Sequence, residues 1–186
     1  YRECGRTNGI ALKRLAELIF LYLVRETACS PEVAARALWN DYRRAGRSDR
    51  PDTDARAQAA LFVVGGEIMI TIAGQAHRLT SGAFAYIPAG TPWTLKNSSQ
   101  ETARFHWFRK AYEKVEGLDA PAPLVAHEKD IKPNAMPGTD GKWATTRFLD
   151  PADMRYDFHV NIVTFEPGAI IPFAETHVME HGLYVL

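Results

Sequence analysis

From Leu61 onward, most apolar runs are short and end near a glycine or proline. That punctuation favours short strands joined by tight turns. Leu61-Phe62-Val63-Val64 reads as a buried strand ending at the Gly65-Gly66 turn. Ile68, Ile70 and Ile72 alternate with Met69 and Thr71, the period of two that places one face inward. Gly74-Gln75 reads as a hairpin turn, and His77 to Leu79 as the start of the return. Ser81-Gly82 turns again. Ala83 to Ile87 is the next strand, closed by Pro88-Ala89-Gly90-Thr91-Pro92. Thr94 to Lys96 and Ala103 to Arg109 follow. Such spacing predicts an antiparallel barrel or jelly roll.

The first 55 residues differ in character. Ile10, Ala11, Leu12, Leu15, Leu18, Ile19, Tyr22 and Leu23 recur at intervals of three and four, which predicts a helix. Ser30-Pro31-Glu32 has the form of a second helix start, a hydroxyl cap followed by proline. Gly46 to Asp54, rich in Arg, Asp, Ser and Pro, reads as an exposed linker. Residues 111–142 read as a second linker, because Pro121, Pro123, Pro133 and Pro137 disfavour a helix or a central strand. Strands resume at Thr145 to Leu149 and again at His159 to Phe165, before the Glu166-Pro167-Gly168 turn. The expected organisation is a helical extension over 1–55, a first barrel over 59–110, the linker over 111–142 and the start of a second barrel over 143–186.

Charge narrows the partners. Lys plus Arg and Asp plus Glu both number 22 among 186 residues, so the net charge is zero. Nothing basic argues for nucleic acid, and Arg43, Arg44, Arg47 and Arg50 read as a solvated run. The apolar stretch Leu15 to Val24 is too short to span a bilayer, which takes roughly 20 residues. A secretory leader, with Arg6, Lys13 and Arg14 before that stretch and Ala28-Cys29 after it, is the alternative to a buried helix. Cys4 and Cys29 form no disulfide framework, and a cytoplasmic setting is expected. A small-molecule substrate fits best, with no nucleic acid and no membrane.

The chemistry concentrates in Glu175-Thr176-His177-Val178-Met179-Glu180-His181. Side chains at i and i+2 of a strand share a face, so Glu175 and His177 converge, and His181 has the same parity. One carboxylate and two imidazoles suit Mn²⁺, Fe²⁺ or Zn²⁺, and leave coordination positions open for water or substrate. The plain alternative is a set of ordinary polar strand residues, since His-x-x-x-His alone is weak evidence. By the same parity Glu180 belongs to the opposite face. Gly168 before the cluster and Gly182 after it give the frame of the first cupin motif. Here Glu stands where His is usual, His where Glu is usual, and the spacer after Gly168 is one residue longer. Gly82, Pro88, Gly90 and Asn97 match the second cupin motif, but Trp93 replaces its histidine and cannot ligate a metal. No His or acid lies in Arg56 to Ala60, where this barrel's other ligands would fall. The first barrel is expected to be metal-free, with His77 and His106 as lone histidines.

The segments Phe158 to Ala169 and Glu175 to Gly182 resemble the (S)-ureidoglycine aminohydrolases almost residue for residue at the metal motif. Tyr86 to Gly90, Arg109-Lys110 and Val115 to Gly117 are similar to that family's first barrel and interdomain stretch. The resemblance covers about residues 61–186. It implies a mainly β fold, a bicupin of double-stranded β-helix (jelly-roll) barrels, here with a truncated second barrel after a short α-helical N-terminal segment. It implies Mn²⁺ held by Glu175, His177 and His181, with Fe²⁺ or Zn²⁺ as alternatives. It also implies hydrolysis of (S)-ureidoglycine to (S)-ureidoglycolate and ammonia in allantoin and purine catabolism. A homo-oligomer is compatible with it. The family's fourth ligand, a Gln, falls beyond Leu186, and residues 1–58 match nothing in the family. The sequence therefore reads as a fragment, weakly active or inactive as it stands. A small-ligand-binding cupin without catalysis, and another metal cupin such as an iron dioxygenase, are the competing functions. Neither the proton-moving group nor the substrate-binding residues can be named from sequence.

Overall fold

The computed structural model describes residues 54–174, together with the backbone of the strands Ala16–Leu23, Leu38–Tyr42, Gly46–Ser48 and Glu180–Val185. In chain order the strands are β1 (Ala16–Leu23), β2 (Leu38–Tyr42), β3 (Gly46–Ser48), β4 (Ala57–Gly65), β5 (Glu67–Ile72), β6 (Gln75–Thr80) and β7 (Ala83–Ile87). They continue with β8 (Trp93–Asn97), β9 (Ala103–Ala111), β10 (Leu124–His127), β11 (Asn134–Ala135), β12 (Trp143–Arg147), β13 (Phe158–Phe165) and β14 (Glu180–Val185). The only helical element among the described residues is a 3-10 turn at Glu128–Asp130.

The chain divides into two compact units. The larger contains β2 to β10 and Asp153–Asp157. Its strands form a five-stranded sheet, β10-β7-β4-β9-β2, and a four-stranded sheet, β3-β8-β5-β6. Alternation puts Ala59, Leu61 and Val63 of β4, Ile68, Ile70 and Ile72 of β5, and Ala83, Ala85 and Ile87 of β7 into one apolar core. This is the jelly-roll arrangement that the turn spacing predicts. The β5–β6 hairpin turns on Ala73 and Gly74, with φ of 48° and 82°, one residue earlier than the sequence suggests. Gly66 joins β4 to β5 at φ 71°, and a Cβ there would run into the Thr102 carbonyl.

The smaller unit contains β1 and β11 to β14 in one antiparallel sheet, ordered β11-β12-β13-β1-β14. Its central strand β13 is flanked by β12 and β1. Trp143, Val163, Phe165 and Ala169 form its apolar cluster, with Met136 and Ile171 packed against them.

Three expectations change. The helix over the first apolar run is the strand β1, bonded to β13 on one side and β14 on the other. A short apolar run rich in Ile, Phe and Tyr fits either element, and pairing on both edges decides it. Leu38–Tyr42, also expected as helix, is a strand beside β9, and Gly46–Ser48, expected as linker, pairs with β8. The rest of the helical expectation over 1–55 lies outside the described residues. Finally, the segment 111–142 supplies β10, which pairs with β7, and β11, which pairs with β12. Both strands lie at sheet edges, where the neighbouring prolines cost no ladder bond.

Candidate functional site

Strand β13 reads Phe158-His159-Val160-Asn161-Ile162-Val163-Thr164-Phe165 and is mostly buried. Its β-branched and aromatic residues suit a central strand covered on both faces. The chain leaves β13 through the expected turn, with Gly168 at φ 79° and the Ala169 amide donating to the Glu166 carbonyl at 2.9 Å. Ala169 and Ile171 then pack on the cluster formed by Trp143, Val163 and Phe165. The Phe173 ring lies 5.8 Å from that of Trp143. The segment that leads to Glu175 is thus laid on the face of β13 that carries the odd-numbered residues.

The register extends this face across the sheet. Tyr22 of β1 opposes His159 of β13 on one side and His181 of β14 on the other. In the next row on this face, Phe20 opposes Asn161 and Leu183, and Asn161 also opposes Arg147 of β12. His181 and Asn161 therefore hold register positions on one face, two strands apart. Glu180 opposes Leu23, in the alternate position. Glu175 and His177 lie outside the described residues.

Asn161 is a residue that the sequence reading missed. It is only 7% exposed, and its Oδ1 is buried without a hydrogen-bond partner among the described residues. A buried acceptor left unpaired costs about 1–3 kcal/mol, so proteins keep few of them. The available signal was an amide in the middle of an otherwise apolar strand.

The larger unit contrasts with this. Its interior is apolar throughout its buried core, and Trp93 packs against that core in the place of the motif histidine. Trp93 meets Trp107 edge to face, with ring centroids 5.6 Å apart. His77 of β6 opposes Ile70, whereas His106 of β9 opposes Phe62 in the other sheet. Burial holds the His106 imidazole below the usual histidine range. Among the described residues no three of His, Cys, Asp and Glu gather as a metal site.

The outer face of the five-stranded sheet holds a buried polar cluster that no sequence spacing announces. Asp157 Oδ2 accepts from Lys110 Nζ at 2.6 Å and from the Glu113 amide at 2.9 Å. Its Oδ1 accepts from the Gln58 amide group, and Tyr86 donates to Gln58 Oε1 at 3.0 Å. Desolvation, reinforced by the Asp157 charge, pushes the Tyr86 phenol far above its ordinary range. Every named atom here is partnered, so the cluster acts as a structural clasp for Asp153–Asp157. Its partners are 99, 47 and 44 residues apart in sequence, beyond any local pattern.

Fold and sequence together define the class. Residues 44–109 match the family model of the cupin domain, a range that spans strands β3 to β9 except for the last two residues of β9. Over 126 residues the chain is 31% identical to the (S)-ureidoglycine aminohydrolase of Escherichia coli, covering 68% of this chain and 47% of that one. The Arabidopsis thaliana enzyme of the same name is 28% identical over 127 residues, covering 68% and 41%. A crystal structure from Pseudomonas aeruginosa, described as a candidate glyoxylate-induced protein, superposes with a TM-score of 0.75 at 43% identity. It covers 91% of this chain and 63% of the other. Residues 44–109 are thus similar to a cupin domain in both sequence and fold. The chain's relatives are the (S)-ureidoglycine aminohydrolases, the family its motifs resemble. The chain spans less than half the length of these two curated relatives. No helix among the described residues is long and apolar enough to cross a membrane.

Proposed function

We propose that this sequence belongs to a metal-dependent bicupin that hydrolyses (S)-ureidoglycine to (S)-ureidoglycolate and ammonia. The larger unit is its metal-free first barrel, and the smaller unit contributes to the metal-binding second barrel. The observation that carries the reading is the register of β14. It sets His181 on one face of a sheet with Asn161, beside a segment that leads directly to Glu175 and His177.

Glu175, His177 and His181 would hold the ion, and the donor chemistry fits. One anionic oxygen and two neutral imidazoles match Mn²⁺, with Fe²⁺ and Zn²⁺ as competitors, and no thiolate tilts the set toward softer metals. When bound, the ion supplies a Lewis-acidic centre that fixes and polarises a small polar substrate. The chain's own contribution is placement. The turn at Glu166–Gly168 and the packing of Ala169 and Ile171 lay the chain that precedes Glu175 on the β13 face. Trp143 and Phe173 add aromatic surface at one end of that face.

The test is ammonia release from (S)-ureidoglycine by the chain and by its E. coli relative, each metal-stripped and reloaded with Mn²⁺, Fe²⁺ or Zn²⁺. Release that needs Mn²⁺ and disappears in Glu175→Gln and His177→Ala supports the reading. Metal content unchanged by substituting all three ligands would sink it.

A further inference from the structure

We propose that Asp140-Gly141, at the tip of the connection between β11 and β12, is a modification site: the folded protein closes a succinimide there and acquires an isoaspartyl residue.

Local sequence sets up the turn. The Lys142 amide donates to the Thr139 carbonyl at 2.9 Å, and the two central residues, Asp140 and Gly141, have φ of 51° and 73°. Positive φ at both central positions is the conformation that Asp-Gly favours in a tight turn. Both residues are exposed. Neither the Asp140 carboxylate nor the Gly141 amide has a hydrogen-bond or ion-pair partner among the described residues. A Cβ placed on Gly141 would meet nothing within 4 Å, so that side of the residue is open. The flanks are pinned by the Met136 amide on the Trp143 carbonyl and the Glu166 amide on the Lys142 carbonyl, both at 2.8 Å. Any change of backbone length is therefore taken up in the turn.

These features meet the needs of one reaction. The Gly141 nitrogen attacks Cγ of the protonated Asp140 carboxyl group. An N–Cγ bond forms, and the amide proton and the carboxyl hydroxyl leave as water. The product is a five-membered succinimide, which water reopens at either carbonyl. Opening at Cγ restores aspartate. Opening at the main-chain carbonyl leaves Gly141 bonded through Cγ, so the backbone gains one carbon and an α-carboxylate is freed. Glycine matters because a Cβ on the attacking residue would crowd the approach. Other candidates lack a requirement. Asp153 is held by Arg155, and Asp157 is buried among its partners. Asp150 precedes Pro151, which has no N–H to attack. Asn97 is 2% exposed, and its Oδ1 accepts from the Ser99 amide.

The chain is aged at neutral pH and physiological temperature, once folded and once in urea, and digested with trypsin. Residues 130–142 and 7–13 then fall in separate peptides, which keeps Asn8-Gly9, outside the described residues, from confusing the result. From the folded chain, 130–142 should give a second chromatographic peak of unchanged mass. That peak should accept one methyl group from S-adenosylmethionine through an isoaspartyl carboxyl methyltransferase, and electron-transfer fragmentation should place the isomer at Asp140. The peptides holding Asp119, Asp150 and Asp153 should give no such peak. Asp140→Asn should reach the same product faster, with loss of ammonia, because no protonated carboxyl is needed. Asp140→Glu would need a six-membered ring and should lose the peak. Isoaspartate at this position in the urea-treated chain but not in the folded one overturns the proposal, since the fold would then protect the dipeptide. Absence from both samples, or a peak that persists in Asp140→Glu, overturns it equally.

Discussion

The two units differ in which polar side chains they bury and on which face. In the larger, the interior between the sheets is apolar, with Trp93 packed against it where the motif would put a histidine. On its outer face Asp157, Lys110, Gln58 and Tyr86 satisfy one another. In the smaller, Asn161 stays on the face shared with His181, with no partner for its oxygen among the described residues. Strand alternation fixes the inner and outer faces in both units alike. A few side chains then decide whether a face becomes a packed core or a place for a ligand. In a molecule that pairs its deeply buried charges, an orphaned amide is informative.

The largest expected effect tests the polar side of that contrast. His177→Ala should weaken Mn²⁺ binding by at least about 100-fold, since losing even an outer-shell partner costs about 10–100-fold. Titration followed by the Mn²⁺ electron paramagnetic resonance signal reads this directly. Trp93→Leu, in the other unit, should leave that affinity untouched. Equal losses in both variants would erase the distinction between the units.

Next in size is the clasp. Lys110 has a side chain only 4% exposed, and its nearest acid is Asp157 at 2.6 Å, with Glu113 at 3.6 Å. Asp157→Ala leaves that ammonium poorly compensated and should cost about 3–5 kcal/mol in urea denaturation. The double change Asp157→Leu with Lys110→Met should recover most of the loss, because neither charge is then stranded. A single-variant cost below about 1 kcal/mol would mean that the cluster contributes no more than a surface pair.

Much of the larger unit was legible in the sequence, because its signals are local. Ile68, Ile70 and Ile72 fix the inner face of β5, glycine at positive φ marks its turns, and Trp93 announces a barrel interior without its motif ligand. The first apolar run misled for a physical reason. Its residues satisfy helical and extended spacing equally, and pairing with β13, about 140 residues away, makes it a strand. The partners of Asp157 were likewise illegible, being joined only by the fold. Asn161 falls between these cases. Its position was visible inside a family-like segment, but its burial and unpaired oxygen appear only with the register of the sheet.

A smaller effect probes the apolar side of the contrast. Trp93→His restores the motif histidine to the larger unit. It should bind no additional metal, because among the described residues no second donor lies in the apolar core. Trp93 is half-buried against that core and against Trp107, so the swap should cost about 1–3 kcal/mol in lost packing. Metal stoichiometry by equilibrium dialysis and a denaturant titration check both halves. A second equivalent of metal in this variant would show that the barrel interior is not closed to ligation.

The smallest effect concerns protons. His106, buried on the outer face of the five-stranded sheet, is held neutral because burial depresses its pKa. In the unfolded chain the group titrates near its ordinary value of about 6.5. Below that pH the unfolded state binds more protons than the folded state, so folding loses stability as pH falls. The loss begins near pH 6.5 and stops growing once pH passes the depressed folded value, where both states are protonated. His106→Phe removes the titrating group and should flatten this part of the stability–pH curve, with little change at pH 8. Denaturant midpoints at half-unit steps from pH 8 to pH 5 measure the slope. A slope that persists in His106→Phe would assign it to another group. The same series on Asn161→Leu should keep the wild-type slope, since that change touches no titrating group in the larger unit.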